Sequence, residues 1–446
     1  MEELIVILGA GESGTGAAIL AKTLNRKVFL SDKGSIENKF IEELKFWKIS
    51  HESGKHSEDI ILNATLVIKS PGIPESAEII QKIRRKGIPV ISEIEWAWQH
   101  AANSKIIAIT GSNGKTTTTA LTGHIFKTAG YDAAVVGNIG NSFARQVATN
   151  PKPVYIVEVS SFQLDDIKNF KADIAVITNI TEDHLDRYKY DLKLYIESKF
   201  KIIQNQTKSD YLIYNADDRL LTAEIEKRKP TTNLLPFSMK REFNQGAFIK
   251  NGVMTVITDN ERMEMSILDF AVKGKHNLYN GMAASSVGSV SGIKKESVRV
   301  AVQTFSSLEH RMSHAGIVRG VEFINDSKST NVNSAWFALE SMEKPTVLIL
   351  GGVDKGNDYS VLEELVKEKV KAIVCMGLHN EKIHEAFSHI GIPITDTSNA
   401  VDAVRAAFMY AEKGDVVLLS PACASFDLFN NYEDRGEQFV KAVREL

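Results

Sequence analysis

The chain has 446 residues, 43 % hydrophobic and 24 % charged, a composition that excludes a disordered or membrane-embedded chain and suits about three domains of roughly 150 residues. Lys and Arg number 53 against 56 Asp and Glu, and the net charge of −3 argues against broad nucleic-acid binding. The only cysteines, Cys375 and Cys423, exclude a disulfide scaffold and a four-thiolate zinc site.

The start, Met-Glu-Glu-Leu, carries acidic residues where a signal peptide is basic, and no apolar run approaches the ~18 residues a bilayer requires. A cytoplasmic enzyme or switch, without membrane insertion, is the expectation. Continuous apolar runs follow at Leu4–Leu8, Val28–Leu30, Leu66–Ile68 and Val90–Ile91, then at Ile106–Ile109, Val154–Val159, Ile174–Ile177 and Tyr211–Ile213. A last set is Val321–Ile324, Val347–Leu350, Ile373–Met376 and Val416–Leu419. Each ends in a Gly-, Asp- or Ser-rich turn before a helix-like segment. Runs apolar on both faces are parallel strands covered by helices, so the predicted class is α/β throughout. Alternation between Leu234 and Ile267 predicts a small antiparallel patch inside the middle domain. Polar stretches near Trp98–Ser104 and Ser306–His310 suggest domains at residues 1–99, 100–307 and 308–446.

Parallel sheets bind ligands at the carboxyl ends of their strands, so the turns there hold the chemistry. Gly9-Ala10-Gly11-Glu12-Ser13-Gly14 fits a dinucleotide fingerprint, and Asp32 closes the next strand about 20 residues on, where a ribose-binding acid sits. Ser70-Pro71-Gly72-Ile73-Pro74 is a further loop at this edge. The second glycine loop, Thr110-Gly111-Ser112-Asn113-Gly114-Lys115-Thr116-Thr117, has Ile109 where the general phosphate-loop pattern has glycine. Its amides would cradle phosphates, Lys115 would reach the outer ones, and the Thr116 hydroxyl would ligate magnesium. Glu158 ends a buried run beside it as a candidate metal ligand, and His184 stands among acids in Thr181-Glu182-Asp183-His184-Leu185-Asp186. Lys199 reads as a surface lysine by composition. Asn277 and Asn280 lie at a helix start. Asn325–Asn331, Gly351–Gly356 and Ser420–Asp427 are polar loops suited to an anionic substrate, with Cys423 a packed thiol. Several readings remain open on residues alone: an enzyme that uses a nucleotide triphosphate on an anionic substrate, an NAD-dependent oxidoreductase built on Gly9–Gly14 and Asp32, and a nucleotide-driven switch.

Together these motifs resemble the Mur ligases of peptidoglycan synthesis, along the whole chain. The resemblance rests on the two glycine loops, Val157–Leu164, Asp183–Asp186, Lys199, His310-Arg311, Asn325–Asn331, Gly351–Lys355, and Leu419–Asp427 with Arg435-Gly436. The last segment resembles the D-glutamate-adding branch. A Rossmann-like first domain, a central phosphate-loop ATPase domain and a Rossmann-like third domain are implied. So is an ATP-dependent ligase, acting as a monomer, that adds D-glutamate to UDP-N-acetylmuramoyl-L-alanine through an acyl phosphate. On this resemblance Gly11, Glu12, Ser13, Asp32, Lys33, Ser70, Pro71, Gly72, Asn138 and His184 meet the UDP-sugar. Gly111 to Thr117 (Gly111, Ser112, Asn113, Gly114, Lys115, Thr116, Thr117), Asn280, Arg311 and Asp326 meet ATP. Lys328, Thr330, Lys355, Ser425 and Tyr432 meet D-glutamate. Two magnesium ions rest on Thr116, Glu158, His184 and a carbamate on Lys199, and Lys115, Glu158, His184 and Lys199 carry catalysis.

Overall fold

Runs of β-branched and aliphatic residues, apolar on both faces, fold into three sheets. The computed structural model describes every residue except Met1, Glu2, Ala102, His184, Asn260, Lys273, Ser307 and Leu308. Two compact units form, one of Met1–Phe270 with Tyr279–Thr304, the other of Ala271–Leu278 with Phe305–Leu446.

The first unit contains two sheets. One is wholly parallel, built from β1 (Leu4–Leu8), β2 (Lys27–Asp32), β3 (Ser50–Ser53), β4 (Leu66–Lys69) and β5 (Val90–Ser92) in the order β3-β2-β1-β4-β5. The second holds β6 (Lys105–Thr110), β7 (Ala133–Gly137), β8 (Val154–Glu158), β9 (Ile174–Ile177), β10 (Tyr211–Asn215), β11 (Asn233–Ser238), β12 (Gly246–Lys250), β13 (Val253–Thr258) and β14 (Glu261–Ser266). Their order is β14-β13-β12-β11-β10-β9-β6-β8-β7. Ile107, Ala108 and Ile109 on β6 are fully buried between β9 and β8. Burying each large side chain contributes roughly 1.5–3 kcal/mol, which fixes the strand that carries the second glycine loop.

The antiparallel patch is narrower than the alternation suggested. β11 pairs in parallel with both β10 and β12, so only Gly246–Ser266 runs antiparallel. The second unit has one sheet of β15 (Ser313–Val318), β16 (Val321–Asn325), β17 (Thr346–Leu350), β18 (Val370–Met376), β19 (Ile394–Thr397) and β20 (Val416–Leu419). The order is β15-β16-β20-β17-β18-β19, with β15 alone antiparallel. The strands β3, β14, β15 and β19, which have no continuous apolar run in the sequence, all lie at sheet edges. An edge strand buries less of itself and needs fewer apolar residues.

Inside the first unit, polar side chains join the two sheets. Arg145 forks onto Glu12 (2.7 and 2.9 Å) and Glu43 (2.7 and 3.0 Å). Such bidentate contacts fix orientation as well as charge. Glu95, fully buried, accepts from the backbone amides of Lys168, Asn169 and Phe170 at 2.8–3.0 Å.

Buried Glu93 accepts from the Ala144 amide, and burial pushes its carboxyl up to about 7. Below about pH 4.5 this carboxyl is protonated in the folded and unfolded chain alike, and its contribution to stability is fully present. From there to about pH 7 only the unfolded chain ionises, so stability falls as pH rises. Glu93→Gln is expected to remove on the order of 3 kcal/mol of that fall. Urea unfolding of both proteins at about pH 5 and pH 7.5 checks it; parallel pH profiles would reject the assignment.

Candidate active site

The phosphate loop begins where β6 ends. Gly111 has φ of +147°, and a Cβ there would lie 1.9 Å from Thr178 Oγ1, so the turn requires glycine. Asn179 at the end of β9 pins the loop: its Oδ1 accepts from the Asn113 amide (2.9 Å) and its Nδ2 donates to the Asn113 carbonyl (2.9 Å). Ser112 donates to the Thr181 carbonyl (2.8 Å) and accepts from its amide (2.9 Å). The helix Lys115–Thr128 follows, with Thr116 and Thr117 buried in its first turn. Its free amides and dipole favour an anion there. Asn280 packs against the loop, and a Cβ on Gly114 would lie 2.5 Å from its Oδ1.

Two lysines share one acceptor. Lys115 Nζ donates to the carbonyls of Gly111 and Ser112 (2.8 Å each), and Lys199 Nζ donates to the same Gly111 carbonyl (2.7 Å). Lys199, on the helix Leu192–Phe200, is only 1 % exposed, contrary to its reading as a surface residue. Burial, reinforced by Lys115, pulls its ammonium well below the ordinary lysine range. Its Nζ sits 4.5 Å over the Tyr195 ring, whose hydroxyl meets Ser112 Oγ at 3.0 Å.

At the end of β8, Glu158 is 1 % exposed. Asn138 Nδ2 donates to its Oε1 (2.9 Å), while Oε2 is buried without a hydrogen-bond partner among the described residues. Such a carboxylate oxygen is costly unless a cation or water meets it. His184 lies outside the described residues.

The first glycine loop is as tight as its pattern implies. A Cβ on Gly14 would lie 1.8 Å from the Gly9 carbonyl oxygen. Asp32 turns inward, accepting from the Ala10 amide (2.7 Å) and the Gly34 amide (2.8 Å), so its carboxylate shapes the loop. Glu12 faces Arg145, and Ser13 Oγ faces Glu93 at 3.5 Å. Any contact of these two with a diphosphate would come from their backbone. Ser70 Oγ donates to the Gly9 carbonyl (3.4 Å), and Arg187 reaches the Pro71 and Gly72 carbonyls (3.2 and 3.3 Å). A cavity of about 510 Å³ opens here, lined by Gly9, Asp32, Lys33, Gly72 and also Lys55 and His56.

In the second unit, the loops after β16, β17 and β20 meet around Arg435. This guanidinium is 1 % exposed and donates to Ser327 Oγ (3.0 Å), the Ser327 carbonyl (2.8 Å) and the Cys423 carbonyl (3.1 Å). Burial lowers it to about 10. Arg435→Ala leaves those acceptors buried and unpaired, and on the order of 3–5 kcal/mol of stability is expected to disappear in a denaturant titration. A loss under about 1 kcal/mol would show that water replaces the clamp. Asp326 is pushed up to about 6 by burial, against the pull of Arg311, and accepts from Ser420 Oγ (2.9 Å) and the Met312 amide (3.3 Å). Arg311 Nε is buried with no hydrogen-bond partner among the described residues. Lys328 Nζ lies 5.0 Å from the Tyr432 ring centre, Thr330 is half-buried, Ser425 is buried and Lys355 is exposed.

Family models match in chain order: the Mur ligase MurD-like N-terminal domain over residues 3–92, the Mur ligase middle domain over 109–288 and the Mur ligase, glutamate ligase domain over 310–423. The chain is 52 % identical over 443 residues to a UDP-N-acetylmuramoylalanine--D-glutamate ligase of Bacteroides fragilis, covering 99 % of each. The chain belongs to the Mur ligase family. A relative of the same name from Christiangramia forsetii is 51 % identical, with both chains covered completely. Among solved structures, the UDP-N-acetylmuramate-alanine ligase of Thermotoga maritima matches with a TM-score of 0.64 at 18 % identity, covering 100 % of both chains. A MurF ligase from the same organism, solved with ADP, gives 0.60 at 14 % identity over 94 % of this chain and 95 % of its own. These two likenesses concern the fold. It is the three-part α/β Mur ligase architecture of parallel sheets with a small antiparallel patch. Among the described residues no helix is long and apolar enough to cross a membrane.

The donor set of this Mur ligase fits a hard cation. Glu158 Oε2 lacks a partner among the described residues, the Thr116 hydroxyl is buried in the loop's first helical turn, and both are oxygen donors suited to magnesium. Two supporting residues escaped the sequence reading. Tyr195 lies four positions before Lys199, one helical turn away, and that spacing was the available signal. Arg435 had a motif signature but no role, because burial of a guanidinium is invisible in sequence.

Proposed function

We propose that this Mur ligase joins D-glutamate to the L-alanyl carboxylate of UDP-N-acetylmuramoyl-L-alanine, converting ATP to ADP and phosphate, in peptidoglycan precursor synthesis. The observation that carries the ATP chemistry is that Lys115 and Lys199 meet on one glycine loop, with Glu158 paired to Ile109 at its start and its Oε2 without a partner among the described residues. The choice of D-glutamate is supported by the names of relatives about half identical over their full length.

In this reading residues 1–99 hold the UDP-sugar, 100–307 hold ATP and 308–446 hold the amino acid, in a cytoplasmic monomer. The UDP-sugar lies along Gly11, Glu12, Ser13, Asp32, Lys33 and Ser70 to Gly72, with Asn138 and His184 toward its reacting end. Amides of Gly111 to Thr117 cradle the phosphates, with Asn280, Arg311 and Asp326 for the remaining parts of the nucleotide. Lys328, Thr330, Lys355, Ser425 and Tyr432 receive D-glutamate.

Burial shifts Lys199 toward its neutral amine, the form that reacts with carbon dioxide: Nζ would attack the carbon, an N–C bond would form, and the proton would leave to solvent. A buried cation site becomes an anion. Two magnesium ions, held by Thr116, Glu158, His184 and that carbamate, would supply positive charge against the repulsion between carboxylate and triphosphate. Lys115 adds a fixed positive charge at the outer phosphates. The alanyl carboxylate attacks the γ-phosphorus, the bond to the bridging oxygen breaks, and an acyl phosphate and ADP form. The D-glutamate amine then attacks the acyl carbon, phosphate departs from the tetrahedral intermediate, and the amine loses a proton as the amide forms.

Phosphate release measured with each substrate omitted in turn tests this reading. Release is expected only with ATP, the UDP-sugar and D-glutamate together. Equal release from ATP alone would favour a nucleotide switch, and hydride transfer with NAD would favour an oxidoreductase.

A further inference from the structure

We propose that Cys375, His384 and Asp396 form a binding site for a divalent cation of the zinc class, distinct from the oxygen-rich site at Glu158. The three residues are scattered in sequence and brought together by the edge of the third sheet. Cys375 lies near the end of β18, and Asp396 is its direct parallel partner on β19, so both side chains leave the same face. His384 comes from the helix Glu381–Phe387 that follows β18. One ligand atom from each, Sγ, a ring nitrogen and a carboxylate oxygen, lies within 4.8 Å of the others.

Four bonds of about 2.0–2.3 Å in tetrahedral array put zinc ligand atoms about 3.3–3.8 Å apart. The widest separation in the trio, at most 4.8 Å, therefore closes by up to about 1 Å on binding. His384 and Asp396 have the freedom to make that adjustment, being 37 % and 57 % exposed, whereas Cys375 is fully buried. The ring and the carboxylate already face each other, Nε2 standing 3.1 Å from both Asp396 oxygens, and that contact opens slightly as a cation enters between them.

A second observation points to a ligand. Asn380 is 9 % exposed and lines the same cavity of about 610 Å³ as His384 and Asp396. Its Nδ2 donates to Asp396 Oδ1 (3.0 Å) and to the Gly377 carbonyl (3.1 Å), yet its Oδ1 is buried without a hydrogen-bond partner among the described residues. A buried amide oxygen without a partner is costly, and a cation or its coordinated water would satisfy it. The donor types decide the class of metal. One thiolate, one imidazole and one carboxylate suit zinc or cobalt, and disfavour magnesium and calcium, which take oxygen. Three protein ligands leave a fourth position to water. On binding, the Cys375 S–H bond breaks, its proton goes to solvent, and a sulfur–metal bond forms.

The test is titration of the full chain with cobalt(II) alone and with zinc alone, in excess magnesium so that oxygen-ligand sites are occupied. One equivalent is expected to bind, with a near-ultraviolet thiolate-to-cobalt charge-transfer band that zinc abolishes by displacement. Cys375→Ala should lose the band, and Cys423→Ala should keep it. The exposed variants His384→Ala and Asp396→Asn, which leave the core untouched, should weaken binding by more than about tenfold. A band that survives Cys375→Ala would overturn the proposal. So would unchanged affinity in both exposed variants, or the absence of a band in the parent protein; each marks a surface ion pair over a packed thiol only.

Discussion

Lys115→Ala is expected to lower turnover on the order of 10³-fold while leaving UDP-sugar binding intact. The step it serves brings a carboxylate onto a triphosphate, so every positive charge held at the outer phosphates acts on the transition state. A unit charge about 4 Å away at an effective dielectric near 20 contributes about 4 kcal/mol, which corresponds to about three powers of ten in rate. Lys115 is placed for this by two loop carbonyls at 2.8 Å, at the first position of the helix that follows the loop. The UDP-sugar loops lie on β1, β2 and β4, a different sheet of the unit, so calorimetric affinity for that substrate should change little. Full retained turnover would remove Lys115 from the proposed ATP site.

Lys199→Ala is expected to reduce turnover on a similar scale, of order 10³-fold, and a short carboxylic acid such as formate should restore part of it. The physical basis is burial. An ammonium at 1 % exposure, beside a second lysine on the same carbonyl, is held toward its neutral amine. In the proposed mechanism that amine is the form that would capture carbon dioxide, and the resulting carbamate would place an anion beside the phosphate loop. Removing Lys199 also removes a contact to Gly111 and the packing over Tyr195. Rescue separates the two losses, because formate supplies a carboxylate and nothing of the packing. Chloride at equal ionic strength should not rescue. A folded variant that formate leaves inactive would withdraw the carbamate role and leave Lys199 a structural residue.

The parts of this architecture legible in sequence are those with a local signature. β6 and the glycine loop after it combine a continuous apolar run with Gly-Lys-Thr, and Gly14 meets a steric demand that its motif encodes. The position of Glu158 at the end of a buried strand was legible from the apolar run before it, whereas its unpartnered oxygen was not. Lys199 was not, since its neighbours Ser198 and Phe200 look like an ordinary helix and its burial depends on Gly111, Tyr195 and the loop above it. Edge strand β3, Ser-His-Glu-Ser, has no apolar residue and is a strand only because β2 offers it partners. The carboxylates of Glu12 and Asp32 hold Arg145 and the Ala10 amide, contacts the sequence does not show, and Asp32 also lines the cavity beside the loop. Sequence places such residues on a loop, and tertiary contacts decide which way the side chain turns.

The central claim is the identity of the bond made, and an amino-acid panel addresses it most directly. With UDP-N-acetylmuramoyl-L-alanine, ATP and magnesium supplied, D-glutamate, L-glutamate, D-aspartate and L-lysine are compared for amide product and ADP. Product and ADP in equal amounts with D-glutamate, and neither above background with the other three, is the predicted result. Faster product formation with L-glutamate or L-lysine than with D-glutamate would contradict it.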